Sequence, residues 1–490
     1  MREKGLPSLT LALTPIIAMF VFMGVGAIWI GLPAEPMLIL SAIIAGVIAK
    51  FLGYNYTQMI TMISEKIAKV MPALLILVTV GFLIGAWMVG GTIPMLIYYG
   101  LEIVSPAYIY ITALVVTSIV AVCTGTSWGS AGTIGVAFMG VALGMEGVNL
   151  AIVAGAILCG AYFGDKFSPL SDSTNLAAAV TRVDLFVHIR HLLYTTVPSW
   201  IVAAIVMIIA GFTVDTAGGS GSEKVAAING TLESAFSWNL FLLLPVVIIL
   251  YGSMRKLPTI PVMLVSSAIA MINALVFQGF SLIDTFNSIV SGFSTDMFGE
   301  GFDLGAAGDD IMKLLNRGGM SSMMNTLLIA FCALAFAGIL SVTRSLDKIV
   351  DSLLNVVNST GSLILATIAT AMLTIATTCN GQVSVLMPGE LLRPAYIRRG
   401  LHPKNLGRTV EDAGTMIEPL LPWTAAGAYM AGTLGVATIE YVPWATFLWT
   451  GIIFAAIWGY TGFGIAKLTP QEQEQMIKEL DEEAAAAANV

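Results

Sequence analysis

Stretches of about 20 apolar residues, the length that carries a helix across the ~30 Å hydrocarbon core of a bilayer, recur along this chain between short polar joints. Read against Gly, Pro and charged punctuation, they predict up to fourteen crossings, near residues 10–30, 36–54, 70–92, 107–122, 127–145, 149–181, 192–213, 239–252, 258–279, 320–342, 361–379, 382–400, 409–436 and 442–466. The sixth and thirteenth are too long for one plain span and contain Pro169, Pro419 and Pro422, so they read as interrupted helices. The fifth, eighth and twelfth carry the weakest signal, and the fifth and twelfth also fit re-entrant hairpins. The first apolar run has no small-residue cleavage site behind it and reads as a retained span.

Composition agrees with this pattern. Hydrophobic residues make up 57% of 490 and charged residues 11%, far from the balance of a soluble enzyme. The net charge of -8 comes from loops and an acidic tail at 471–483, with no nucleic-acid signature. Cys123, Cys159, Cys332 and Cys379 lie singly in apolar runs, which excludes a disulfide or zinc framework and leaves them as small packing residues. No phosphate-binding GxxxxGK[ST] loop is present, and the 49 glycines suit close helix packing.

Orientation follows from the excess of Lys and Arg in cytoplasmic loops. With the N-terminus (Arg2, Lys4) inside, Lys50, Lys66, Lys69, Arg182, Arg190, Arg255, Lys256, Arg344, Lys348, Arg398, Arg399, Lys404, Arg408 and Lys467 all fall on the cytoplasmic side. The loops at 214–238 and 281–310 then face outward, the second bearing Asp284, Asp296, Glu300, Asp303, Asp309 and Asp310. Lys313 and Arg317 fit this scheme less well.

The halves resemble each other in register. GLPAEPMLILSAIIAGVIA (31–49) aligns with KLPTIPVMLVSSAIAMINA (256–274). Cys123, Gly125, Gly144, Asn149 and Leu150 recur 256 residues on as Cys379, Gly381, Gly400, Asn405 and Leu406. After a six-residue deletion, Pro169, Leu170 and Thr174 recur as Pro419, Leu420 and Thr424. An odd number of spans separates the repeats, so they point in opposite directions. The reading is an all-α polytopic membrane protein of two inverted-topology repeats, 1–235 and 236–468, with an acidic cytoplasmic tail at 469–490 and interrupted helices at matching positions.

Chemistry concentrates in those interruptions. GDKFSPLSDSTN (164–175) pairs with EDAGTMIEPLLPWT (411–424), and TGTSWGSAGT (124–133) with TTCNGQVS (377–384). Ionisable groups at membrane depth are expensive and usually line an ion or substrate path. Unwound helices free carbonyl oxygens for a small cation, with Thr126, Ser127, Ser168, Ser171, Thr174, Asn175, Asn380, Gln382, Thr415 and Thr424 as neutral oxygen donors. Asp165 and Asp172, flanking the first break, are expected to carry the exchangeable charge, and Glu418 stands in the second break. A carboxyl group in low dielectric retains its proton near neutral pH and yields it to an arriving cation, the simplest basis for exchanging a proton against sodium. Structural roles fit the same residues. Asp172 suits the cap of a half-helix starting around Ser173, Asp165 and Lys166 an ion pair, Glu418 a helix end, Glu411 and Asp412 a cytoplasmic-end salt bridge with Arg408. His188 and His191 read as solvated interfacial histidines.

GTSWGSAGTIGVAF (125–138), GAYFGDKFSPLSDSTNLAAAVTRVDLFVHIRH (160–191) and the 411–424 segment resemble the signature blocks of the NhaC-type sodium/proton antiporter family. The resemblance implies a multi-pass protein of a bacterial or archaeal inner membrane, both termini cytoplasmic, exchanging sodium for protons without a cofactor. It implies the ion-transporter superfamily, whose members move a transport domain against a scaffold. Expected partners are sodium, protons, the lipid bilayer and, because the family includes malate/lactate exchangers, small carboxylates, with a homodimer left open. Half-helix N-termini near Ser127 and Ser173, with Lys166 or Arg393, would then meet the anion.

Overall fold

A computed structural model of the chain describes residues 6–214, 220–255, 257–299, 302, 308–355 and 357–488. Arg2, Lys4, Lys256, Glu300 and Asp303, on which part of the expected orientation rests, lie outside them. Every regular element among the described residues is a helix, apart from an isolated bridge between Leu401 and Lys467. Ten helices among them are long and apolar enough to span a bilayer. These are α1 (Leu9–Ala27), α2 (Ala34–Phe51), α3 (Tyr56–Val89), α4 (Pro106–Thr124), α5 (Ser127–Gly144), α6 (Leu150–Phe167), α8 (Leu185–Phe212), α9 (Thr259–Gln278), α10 (Met320–Val342) and α11 (Thr360–Thr378). Between and after them run α7 (Asp172–Thr181), α12 (Gly381–Arg398), α13 (Lys404–Val410), α14 (Ala425–Leu434) and α15 (Thr446–Thr461).

The chain is thus an all-α polytopic membrane protein. Large apolar side chains cover its outside, among them Phe51 at 84% and Leu240 at 80% exposure, a surface that only lipid makes inexpensive.

The count falls short of fourteen for identifiable reasons. The eighth expected crossing is one arm of a pair, Val225–Ala235 and Leu240–Met254, bent by 106°. The twelfth, α12, carries Glu390, Arg393 and Arg398 within 18 residues, the thirteenth is divided at its break, and the fourteenth, α15, has only 16 residues. The third begins earlier than its apolar run, because a capping box formed by Asn55 and Gln58 starts α3 at Tyr56. Lys66 and Lys69 therefore ride on a helix instead of lying in a cytoplasmic loop.

Two helical hairpins position the polar segments. Gly160 and Gly164 of α6 seat against Leu114 and Thr117, then Ala121 and Val122, of α4, so α4 and α6 run parallel. Ser127 meets Asp165 and Gly135 meets Ile157, so α5 returns antiparallel to both. The turn is made by Gly125 in the left-handed region (φ 71) and Thr126, whose hydroxyl caps α5. The second hairpin, α11 and α12, turns at Cys379 (φ 56) and the capping residue Asn380. Each tip ends level with a break in the neighbouring helix.

The helices sort into two packed bodies. In one, α10 lies along α2 and α3, α9 packs on α3, and α1 packs on α2. In the other, α4 packs on α6, α8 on α15, α15 on α11, and α12 on α7. Helices from the two halves of the sequence occur in both bodies.

Candidate cation site

The first break follows from Ser168-Pro-Leu-Ser171. Ser168 turns extended (φ -82, ψ 125), ending α6, and Pro169 has no N–H to continue it. Ser171, also extended, caps α7 by accepting from the Thr174 N–H, so Asp172 is the first helical residue and not the cap. The Asn175 amide donates to the carbonyls of Pro169 (2.9 Å) and Ser171 (2.6 Å). Thr174 donates to the carbonyl of Asp165 (3.3 Å), and Ser168 accepts from the Leu170 N–H (3.3 Å). These four side chains hold the break open.

The second break is longer. Helix α13 runs into a widened turn at Glu411–Thr415, then a tight turn at Glu418–Leu420. Thr415 donates to the Glu411 carbonyl (3.0 Å). Thr424 caps α14 and donates to the Glu418 carbonyl (2.5 Å). The second hairpin tip is tied here: the Gly381 N–H donates to Glu418 Oε1 (3.1 Å) and the Trp423 indole N–H to the Ala376 carbonyl (3.0 Å).

Both tips and both breaks meet in one cavity of about 410 Å³. The first half contributes Thr126, Ser127, Asp165 and Asp172, the second Asn380, Gln382, Thr415 and Glu418, and the opposite wall comes from α3 and α9, including Lys69 and Thr259. Ser127 Oγ donates to Asp165 Oδ2 at 3.2 Å. Asp165 and Glu418 are half-buried and Asp172 is exposed. Tyr162, one turn before Asp165 on α6, also lines the cavity. Three carboxylates, hydroxyls and amide oxygens around one small cavity make a donor set suited to a hard monovalent cation. Ser168, Ser171, Thr174, Asn175 and Thr424 are not among the lining residues and serve the breaks instead.

The stacked rings of Trp128 and Tyr429, with centroids 4.3 Å apart, fasten the first tip to α14, and Tyr429 donates to the Trp128 carbonyl at 2.8 Å.

Lys166 and Arg393 do not line the cavity. Lys166 is buried and paired with Asp412, not with Asp165, because successive helical residues point about 100° apart. Arg408, Glu411 and Asp412, expected as a salt bridge at the cytoplasmic end, are all fully buried, and Arg408 donates instead to the Gly464 carbonyl at 2.9 Å. His188 and His191 are buried as well, the latter 3.1 Å from Asn405 Oδ1. The cause is shared: α13 and its widened turn run between α8, α11 and α12, so their polar residues face protein. Cys379 also does more than fill space, since it makes the second hairpin turn.

Sequence reasoning missed Lys69, Tyr162 and Thr259. For Tyr162 a signal existed in its three-residue spacing from Asp165 on one helix face. Lys69 and Thr259 carried none, because they reach the cavity from another body.

The Na+/H+ antiporter family model matches residues 160–463. A Haemophilus influenzae protein described as an uncharacterized Na(+)/H(+) antiporter is 57% identical over 95% of this chain and 99% of its own. The Na(+)/H(+) antiporter NhaC of Alkalihalophilus pseudofirmus is 36% identical over 88% and 90%. A malate-2H(+)/Na(+)-lactate antiporter of Bacillus subtilis is 36% identical over 94% and 96%. Matched along almost its whole length by these proteins, with both helix breaks and the second hairpin tip inside residues 160–463, the chain belongs to the Na+/H+ antiporter family.

Proposed function

We propose that this protein is a secondary transporter of a bacterial or archaeal inner membrane, both termini cytoplasmic, that exchanges sodium for protons. One observation carries the reading: Asp165 and Glu418, from two interrupted helices, face one cavity beside two hairpin tips. Sodium is held by Asp165, Ser127 and Glu418, with carbonyl oxygens freed at the breaks completing its shell. A carboxylate in such a site binds either the cation or a proton, and competition between them links the fluxes. The cavity lies between the two packed bodies, so sliding of one against the other opens it to alternate sides. The matched breaks and tips support two inverted repeats, 1–235 and 236–468, as the basis of that symmetry. No cofactor is required.

The test is sodium-driven proton movement in proteoliposomes. Asp165→Asn and Glu418→Gln are each expected to abolish it, and full activity in both would falsify the assignment. A second reading, sodium-coupled exchange of small carboxylates, is favoured by Lys69 in the cavity wall and by the malate/lactate relative. Labelled malate uptake that depends on internal lactate would establish it, and absence of carboxylate flux would remove it.

A further inference from the structure

The cation cavity adjoins a second space that the exchange site does not use. This chamber, of about 170 Å³, is bounded by the first hairpin tip, by α9 and by the arm Leu240–Met254. Ile76, Thr126, Trp128, Asp172 and Thr259 line both spaces, so the two meet along one junction.

The chemistry of the chamber is not that of a sodium site. Ile249, Leu257, Val262 and Met263 give it a wall of carbon. The hydroxyls of the tip are spent on their own segment: Thr126 Oγ1 accepts from the Gly129 N–H (3.2 Å), Thr133 donates to the Gly129 carbonyl (2.7 Å), and Thr124 lies 3.2 Å from Ser130 Oγ. An ion that must exchange its water for oxygen ligands gains little there.

At the junction the character changes. Asp172 is the one charged residue among the described residues that line the chamber. It is exposed, Ser171 serves as the cap in its stead, and no hydrogen bond or ion pair holds its carboxylate among the described residues. The sodium shell of Asp165, Ser127 and Glu418 leaves it over. Trp128 stands at the same junction, stacked on Tyr429. A carboxylate with an indole attracts an ammonium group, through charge and through the ring. The chamber behind them suits a carbon tail: a cavity of about 150 Å³ takes a benzene ring, so this one has room for roughly four to six carbons. A second charge on that tail would be buried without a partner, at heavy cost, because Lys69 lines the cation cavity and not the chamber.

We infer that the protein carries a second ligand site beside the sodium site, for a primary alkylammonium ion whose head meets Asp172 and Trp128 and whose tail fills the chamber toward α9. The inference goes beyond the sodium/proton reading, concerns groups outside the proposed sodium shell, and is tested by binding alone.

Equilibrium binding of radiolabelled butylammonium to the purified full-length protein decides it. Unlabelled amines from methyl- to butylammonium should displace the label with affinity rising about fourfold per added methylene. Putrescine, with an ammonium at each end, should bind at least about tenfold more weakly than butylammonium, and n-butanol, with the tail and no charge, should not displace it. Asp172→Asn should weaken binding by about tenfold or more. Ser253→Leu fills the chamber away from the cation cavity and should abolish the dependence on chain length while methylammonium still binds. Asp165→Asn should keep butylammonium binding whatever it does to sodium exchange, so the two readings fail separately. Absence of saturable binding, affinity that ignores chain length in the unaltered protein, or loss of binding in Asp165→Asn but not in Asp172→Asn would overturn the inference. Displacement by n-butanol as strong as by the amine would also overturn it, by marking the chamber as a slot for lipid chains.

Discussion

Ser127, at the tip of a helical hairpin, donates its hydroxyl to the carboxylate of Asp165 on a different helix, across 38 residues of chain and 3.2 Å of space. This bond joins tip to break at the cavity wall. Removing the hydroxyl leaves the charge in place with one donor fewer, and bonds to charged groups are worth about 1.5–3 kcal/mol. Ser127→Ala should therefore weaken apparent sodium affinity by roughly tenfold or more while leaving maximal rate nearly intact. Labelled-sodium uptake over a concentration series checks this, and unchanged half-saturation would disconnect Ser127 from the ion.

The buried pair of Lys166 and Asp412 should behave asymmetrically. Lys166→Met strands an uncompensated carboxylate and is expected to cost about 3–5 kcal/mol. The double variant with Asp412→Leu removes both charges and should recover most of that loss. Thermal midpoints of the detergent-solubilised protein measure both. Equal destabilisation by the single and double variants would show that packing, not charge, governs the site.

At Gly381, an added Cβ would meet the Glu418 carboxylate, which must then leave the hairpin tip. Gly381→Ala should assemble normally yet impair sodium binding. Gly160→Ala is the contrast, because its Cβ would meet the side chain of Thr117 and the backbone of α4, both fixed by helix packing. It should lower stability, by about 1–3 kcal/mol for an overpacked core. Expression and sodium titration of the two variants distinguish a functional glycine from a packing one.

Tyr429→Phe keeps the stack on Trp128 and deletes one hydrogen bond to its carbonyl. A loss of about 1 kcal/mol is expected, with little change in sodium affinity. Tyr429→Ala also removes the ring and should cost about 3–5 kcal/mol. Thermal unfolding of both variants reads the clamp directly, and equal midpoints would show that the stack contributes nothing.

Much of the architecture was legible because a bilayer makes few demands and makes them strictly. Apolar length located the crossings, and Pro169 and Pro419 located the breaks, since neither residue can continue a helical ladder. The pairing of 124–133 with 377–384 also came from the chain alone, through shared Cys and Gly positions, and the two segments meet at one cavity. What escaped was direction around a helix. Asp165 and Lys166 are neighbours in sequence, yet one faces the cavity and the other a dry interior, and nothing in a string of letters shows which side of α6 is wet. Glu411 and Asp412 were read as a cytoplasmic-end salt bridge for the same reason, because only the fold closes α8, α11 and α12 around them. Lys69 was assigned to a loop because the apolar run begins after it, although the helix starts at Asn55 and Gln58.

The partner of Lys166 is Asp412, 246 residues further along. During synthesis the ammonium group is made long before its counter-ion exists, in a segment destined for the interior of a bilayer. The N-terminal half must therefore wait, incompletely neutralised, until the last third of the polypeptide has been translated and threaded into place. Closure of this charge pair is a late event, possible only once the C-terminal side is in place.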